Sequence, residues 1–385
     1  MKQLGHKRRW LWWGWMLALS LPALQGITGL IRLKPLQGAI EAPGKPEGGI
    51  AAWWDGTLQV EAEEWLNAHV GFYPLFIRTN NQLNYTLFNK AKAKGVVIGK
   101  QGYLFEENYI KAYYGLDFIG RDSICRQMER LQYIHERLQK QGKLLLLVFA
   151  AGKGSYYSEY IPEGWASRRG PSNYAHYSAE AQKRGIPVLD FHRYFLEQKT
   201  KSKYPLYPQL GIHWSEYGMA VAGDSLIRSI EAHCGWRMPR ISWDEVDWDQ
   251  PKGSDCDIAG GMNLFWNMPS FNMAYPKLKF EVEQGKRRPA VLVVSDSFYW
   301  GLFNFGISRS FDPGHFWFYN HEVYPEHFDR KTTVQQLNLV EELNRHDVVV
   351  IMATEATLPR LGWGFIEAAA QALKQEEDRG HKGLE

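Results

Sequence analysis

Two short stretches hold residues whose types could do covalent chemistry. One is Val291-Leu292-Val293-Val294-Ser295-Asp296-Ser297, an apolar run ending in a polar knot. The other is Leu210-Gly211-Ile212-His213-Trp214-Ser215, with one histidine just ahead of a helical pattern. A serine hydroxyl attacks an acyl carbon only when a base takes its proton, and imidazole is the side chain suited to that near neutral pH. Ser297 and His213 are the natural pair. At the end of a buried strand, Ser297 would turn its hydroxyl outward and its backbone N–H toward the same space. That N–H could help bind an oxyanion. Spacing alone leaves a bland reading open: a strand end, a capped helix and a structural histidine.

These residues meet only if a sheet brings them to one edge. Lys143–Ala150, Ala290–Val294 and Asp347–Ala353 are continuous apolar runs, as expected for strands buried on both faces. Ile-Pro-Val-Leu-Asp-Phe (186–191) reads as a shorter strand, and residues 96–105 as two more around a Lys-Gln-Gly turn. Helices alternate with them. In 123–142 the apolar residues Ile124, Met128, Leu131, Ile134 and Leu138 recur three and four apart. Ser215 is a suitable N-cap for a helix over 215–233. Further helices are expected at 333–346 and from 362 onward. The expected class is α/β with a central parallel sheet covered on both faces. Ligand sites in such sheets lie beyond the carboxyl ends of the strands. Besides Ser297, that edge would receive Thr354 and Glu355 from one strand and Lys153 from another. His315, His321 and His327, spaced by six, suit no common zinc motif and read as loop histidines; no metal and no cofactor are expected.

The segment VLVVSDSF resembles the Gly-Asp-Ser block of SGNH hydrolases, with Ser295 in place of the glycine. The histidine block precedes the serine block, the order of the circularly permuted branch that includes the alginate O-acetylation proteins AlgJ and AlgX. GKQGYLF, the strand and turn LLLLVFAAGKGSYYSEYIP, and GIHWSEYG resemble further blocks of that branch, over about residues 50–370. The resemblance implies a flavodoxin-like SGNH sandwich, with Ser297 as nucleophile and His213 as general base. It implies the backbone amides of Ser297 and Phe298 as oxyanion donors, and Lys153, Tyr157 and Trp214 as substrate contacts. The branch has an Asp two residues before the histidine; here that residue is Gly211. Neutralising such an acid costs serine hydrolases about 10⁴ in turnover. Glu355 is the expected substitute, because it leaves a strand at the same rim. A Ser-His dyad and an inactive site are the other two readings.

Composition bounds the setting. The 385 residues carry a formal charge of +3, but residues 1–34 hold six Lys or Arg and no acid. The remainder is slightly acidic and shows no basic stripe, which argues against a nucleic-acid partner. The basic head is followed by an apolar run from Trp10 to Ile31, read as an uncleaved transmembrane anchor with the body in the periplasm. The expected layout is head and anchor at 1–34, linker at 35–50, and an SGNH-like domain at 51–375. That domain contains a loop-rich excursion at 235–286, and a charged tail follows at 376–385. Sixteen Trp fit either a large core or a carbohydrate cleft. Of the three cysteines, Cys234 and Cys256 could close a loop in an exported protein, or all three could be free thiols.

The resulting expectation is an O-acetyltransferase acting on an exported polysaccharide through an acyl-serine. A membrane-bound O-acyltransferase partner is implied by the resemblance. A carbohydrate esterase is the alternative within the enzyme class, and a non-catalytic polysaccharide-binding subunit is the alternative outside it.

Overall fold

The computed structural model describes residues 2–38, 43–165, 168–280 and 285–382. Parts of the expected linker (39–42) and tail (383–385) lie outside them. The chain divides into two compact units. The first is Met1–Val96 with Asp257–Met268; the second is Val97–Cys256 with Pro269–Glu385. The body expected to start at residue 51 is thus divided at Val96, and part of the excursion belongs to the first unit.

The first unit is helical: α1 (Lys2–Thr28), α2 (Thr57–His69) and α3 (Tyr73–Phe88). The Arg78 guanidinium donates to the carbonyls of Lys34 and Pro35 at 2.9 Å each. Asn81 donates to Met262 O at 2.8 Å, which ties in the later segment. The anchor expectation is corrected here. No helix among the described residues is long and apolar enough to cross a membrane. Trp10, Trp12, Trp13 and Trp15 favour interfaces over hydrocarbon, Pro22 and Gln25 dilute the run, and α1 stops before Leu30 and Ile31.

The second unit is built on a six-stranded sheet. Its strands are β1 (Leu144–Ala150), β2 (Val188–Asp190), β3 (Val291–Ser295), β4 (Gly314–Phe318), β5 (Glu322–Tyr324) and β6 (Val348–Thr354). The spatial order is β5-β4-β3-β6-β1-β2; β5 is antiparallel and all other pairs are parallel. Every residue of β1, β3 and β6 is buried. This follows from their unbroken apolar sequence and from helices covering both faces. On one face, α4 (Arg121–Lys140) presents Ile124, Met128, Leu131, Ile134 and Leu138, all fully buried, and packs beside α8 (Phe365–Lys382). The helical stripe read from the sequence is this contact.

The stretch read as histidine-bearing loop is β4 and β5. His315 lies in β4 and is buried. Its Nδ1 is 2.8 Å from His346 Nε2, and its Nε2 is 2.8 Å from Glu326. The two imidazoles lie within hydrogen-bonding distance of each other, and with Glu342 they form a buried trio whose ligand atoms all lie within 4.8 Å of one another. The helix expected over 333–346 is a short 3₁₀ turn (Val334–Gln336) and a seven-residue helix (Leu339–Arg345) started by the Asn338 side chain. Cys125, Cys234 and Cys256 form no disulfide.

Candidate functional site

β3 delivers Ser295, Asp296 and Ser297 to the carboxyl edge of the sheet. Asp296 is buried and shapes the turn. Its Oδ1 accepts from Phe298 N at 3.0 Å. Its Oδ2 accepts from Thr354 N and Thr354 Oγ1, both at 2.9 Å, and from Thr357 Oγ1 at 2.7 Å. A carboxylate with four donors joins the ends of β3 and β6. Ser297 then begins the short helix α7 (Phe298–Asn304) in an ordinary helical backbone conformation.

His213 arrives on the loop ahead of α6 (Glu216–Cys234). Ser215 caps α6 by accepting from Gly218 N at 2.9 Å, and donates to Pro205 O at 2.7 Å. Lys153 Nζ donates to Gln209 O at 2.8 Å and to Gly211 O at 2.6 Å. A fully buried ammonium thus clamps the backbone two residues before His213. The outcome is a separation of 3.0 Å between His213 Nε2 and Ser297 Oγ. Both side chains are half-buried. They line a cavity of about 260 Å³ whose wall includes Glu216, Ser254, Trp300 and Phe305.

The other expected site residues sit elsewhere. Glu355 is not with His213. Its Oε2 accepts from Gly152 N at 2.8 Å, its Oε1 accepts from Ser155 Oγ at 2.7 Å, and His192 Nε2 lies 3.0 Å from Oε1. His192 and Glu355 form a close, buried ion-pair contact. Burial pushes the Glu355 carboxyl up. The His192 charge, Ser155 and Gly152 together outweigh that and hold it below the usual carboxylate range. Glu355 leaves β6 at the right edge but turns toward the β1 turn. Gly152 is required there, since a Cβ would come within 2.6 Å of Glu355 Oε2.

None of the three expected substrate contacts faces the cavity. Lys153 is the buried clamp. Tyr157 is buried and donates to Tyr207 O at 3.0 Å. Trp214 is fully buried between Phe191, Phe195 and Phe298. Phe298 N–H is held by Asp296, which removes it as an oxyanion donor.

A residue missed from the sequence stands in its place. Tyr319 follows β4 with a left-handed backbone (φ 50°), and its N–H donates to Ser295 O at 2.9 Å. Its phenol lies near Ser297, whose hydroxyl and backbone amide both pull its pKa down. Burial and then the Asp296 charge push the phenol up, against the opposing pull of Ser297, so it stays protonated near neutral pH. The sequence signal would have been Tyr319-Asn320 after a strand, but the strand itself was read as loop.

Fold and site define a class: an SGNH-like α/β protein with serine and histidine at the carboxyl edge of a mainly parallel sheet. Residues 96–240 match the family model described as "SGNH hydrolase-like domain, acetyltransferase AlgX". That segment includes His213 and stops before Ser297. A curated protein of Pseudomonas syringae pv. tomato, "Probable alginate O-acetylase AlgJ", is 26% identical over 144 residues, 37% of this chain. The match spans 35% of that protein's length. Over this segment the chain is similar to AlgJ/AlgX-type proteins. Among solved structures, the O-acetyltransferase domain of Pseudomonas putida AlgJ overlaps 72% of this chain and 99% of its own, with a TM-score of 0.47 and 16% identity. Pseudomonas aeruginosa AlgX overlaps 71% of this chain and 67% of its own, with a TM-score of 0.42 and 12% identity.

Proposed function

We propose that the protein is an O-acetyltransferase that modifies an exported polysaccharide, alginate or a polymer like it, through an acetyl-serine. The observation that carries this is the 3.0 Å approach of His213 Nε2 to Ser297 Oγ at the mouth of a cavity. With its ring proton on Nδ1, His213 accepts the Ser297 proton at Nε2 as Oγ attacks the acetyl carbonyl. The carbonyl oxygen gains negative charge where the Ser297 N–H and the Tyr319 phenol converge. The carbon–leaving-group bond breaks as His213 returns the proton to the leaving group. In the second half, a sugar hydroxyl gives its proton to Nε2 and attacks the acetyl carbon. Ser297 Oγ departs and recovers the proton. The similarity to proteins named for alginate O-acetylation supports the polysaccharide acceptor and acetyl as the acyl group.

The test is intact mass after incubation with p-nitrophenyl acetate. An added acetyl group on the wild-type protein, absent from Ser297→Ala, supports the reading. Unmodified wild-type protein overturns it in favour of a binding subunit. A membrane-bound acyl donor partner and an extracytoplasmic location belong to the same proposal. The basic head ahead of the Trp-rich N-terminal run supports the location, and the similarity to a protein named for alginate O-acetylation supports the partner. Cytoplasmic activity of a reporter fused at residue 50 would reverse the location.

A further inference from the structure

Glu216 is a second carboxylate in the catalytic cavity, and the acyl-transfer steps above leave it unused. It is the first residue of α6, three residues after His213, and lines the same wall as His213 and Ser297. An acid at the start of a helix is ordinary in itself, because the helix dipole favours negative charge there. Its surroundings are not ordinary. The side chain is half-buried, yet no described residue donates a hydrogen bond to it or forms an ion pair with it. Burial pushes its carboxyl up, and the Lys252 charge opposes that only in part. The Lys252 ammonium is engaged elsewhere, 3.3 Å from Asp249 and over the Tyr275 ring. Neighbouring carboxylates in this unit look different: Asp296 takes four donors and Glu355 takes two plus a histidine.

A partly desolvated carboxylate with no protein donor costs some stability relative to a fully solvated one. Its place on the cavity wall beside the reacting serine leaves it free to take a donor from a bound molecule. We propose that Glu216 is the acceptor-positioning residue of this site: its carboxylate accepts a hydrogen bond from a sugar hydroxyl next to the one that attacks the acetyl-serine. The inference rests on the acyltransferase reading and deepens it. Ionised carboxylates only accept hydrogen bonds, so the group that docks must be a donor. A uronate carboxylate turned toward Glu216 would meet a like charge in a desolvated space. The acceptor unit therefore presents a hydroxyl-bearing edge to Glu216 and keeps any carboxylate turned away. The cavity of about 260 Å³ opens to the surface, so a sugar unit of a chain can enter it.

The test uses the full-length protein with p-nitrophenyl acetate as donor and two acceptors of equal length, a mannose and a mannuronate oligosaccharide. Acetylated acceptor and released acetate are both measured, and kcat is separated from the acceptor KM. Glu216→Ala should raise the acceptor KM about tenfold or more, the size expected for losing a hydrogen bond to a charged group. It should also shift the acetyl-serine from transfer toward hydrolysis. Glu216→Gln, which keeps an acceptor oxygen, should recover part of the loss. Wild-type transfer should weaken as pH falls through the raised Glu216 pKa, and this step should vanish in Glu216→Gln. An unchanged acceptor KM and transfer-to-hydrolysis ratio in Glu216→Ala, with acetyl-serine forming normally in the wild type, overturns this inference alone. Wild-type protein that forms no acetyl-serine overturns the acyltransferase reading, and this inference falls with it.

Discussion

Ser254 O occupies the space that a side chain at residue 211 would need: a Cβ on Gly211 would stand 2.2 Å from it and 2.9 Å from the Asp255 carbonyl carbon. The AlgJ/AlgX-like resemblance puts an aspartate at this point of the chain. Here the 3₁₀ turn Gly253–Cys256 lies against the glycine instead. The change at 211 is therefore not a simple deletion of an acid. Glycine and turn fit each other, and neither can be altered alone.

Restoring the aspartate should consequently harm the protein. Gly211→Asp must push the 254–255 backbone away or leave the loop that carries His213. Overpacking of this kind costs about 1–3 kcal/mol or more. A lowered melting temperature with no gain in the rate of Ser297 acetylation is expected. A rate gain at unchanged melting temperature would show that the turn yields easily and that an acid at 211 speeds the reaction.

Glu355 was expected at the catalytic edge and instead joins β6 to the turn after β1. Glu355→Gln should cost about 3 kcal/mol, as removal of one member of a buried charge pair does. The folded fraction should still acquire an acetyl group. The pH dependence follows from the two shifts. The Glu355 pKa is depressed on folding, so its contribution is present above the unfolded carboxylate pKa and is lost as pH falls through the folded value. For His192, burial lowers the pKa, but the Glu355 carboxylate and the Asp190 charge together outweigh it, for a net rise. Its contribution is present below the unfolded imidazole pKa and is lost as pH rises through the folded value. The stability gap between wild type and Glu355→Gln should thus be widest in mildly acidic solution and narrow on both sides. Chemical denaturation across pH measures it; a gap that does not vary with pH would contradict the pairing.

Three strands were legible in the sequence because each is an unbroken apolar run bounded by polar turns. The α4 stripe was legible because a helix packed on a sheet repeats every three to four residues. The pairing of Ser297 with His213 was legible from the order of short blocks. What failed shares one cause. Lys153, Tyr157, Trp214 and Glu355 are polar or amphipathic residues near a predicted edge, and sequence does not say which way such side chains turn. All four turn inward to hold loops. The strand with His315 failed because Gly314-His315-Phe316-Trp317-Phe318 mixes histidine with aromatics and ends in a left-handed turn. Losing that strand hid Tyr319.

Tyr319→Phe tests the missed residue. The phenol faces the Ser297 hydroxyl and amide, and its pKa is raised, so it can donate to a developing oxyanion. Loss of one oxyanion donor costs roughly 10²–10³ in kcat. Tyr319→Phe should lower the rate of acetyl-serine formation by that order with little change in melting temperature, since the side chain is exposed in part. A rate within twofold of wild type would leave the Ser297 amide as the sole donor.

Ser297 and His213 give the sharpest prediction because their geometry and burial separate chemistry from folding. Both are only half-buried, and a hydrogen bond of 3.0 Å joins them. Loss of that bond costs about 1 kcal/mol of stability. The loop holding His213 keeps its Lys153 clamp and its Ser215 cap, and the turn holding Ser297 keeps Asp296. Ser297→Ala deletes the nucleophile, so acetyl-serine should be absent at every pH. His213→Ala leaves the hydroxyl without its base, so acetylation should fall by several orders of magnitude and recover in part as added hydroxide or imidazole replaces the base. Ser295→Ala provides the contrast. Its hydroxyl is buried at the end of β3 and lies outside the cavity, so acetylation should proceed close to the wild-type rate. Equal losses in all three variants would mean that the turn had collapsed in each, and circular dichroism of the purified proteins would show it.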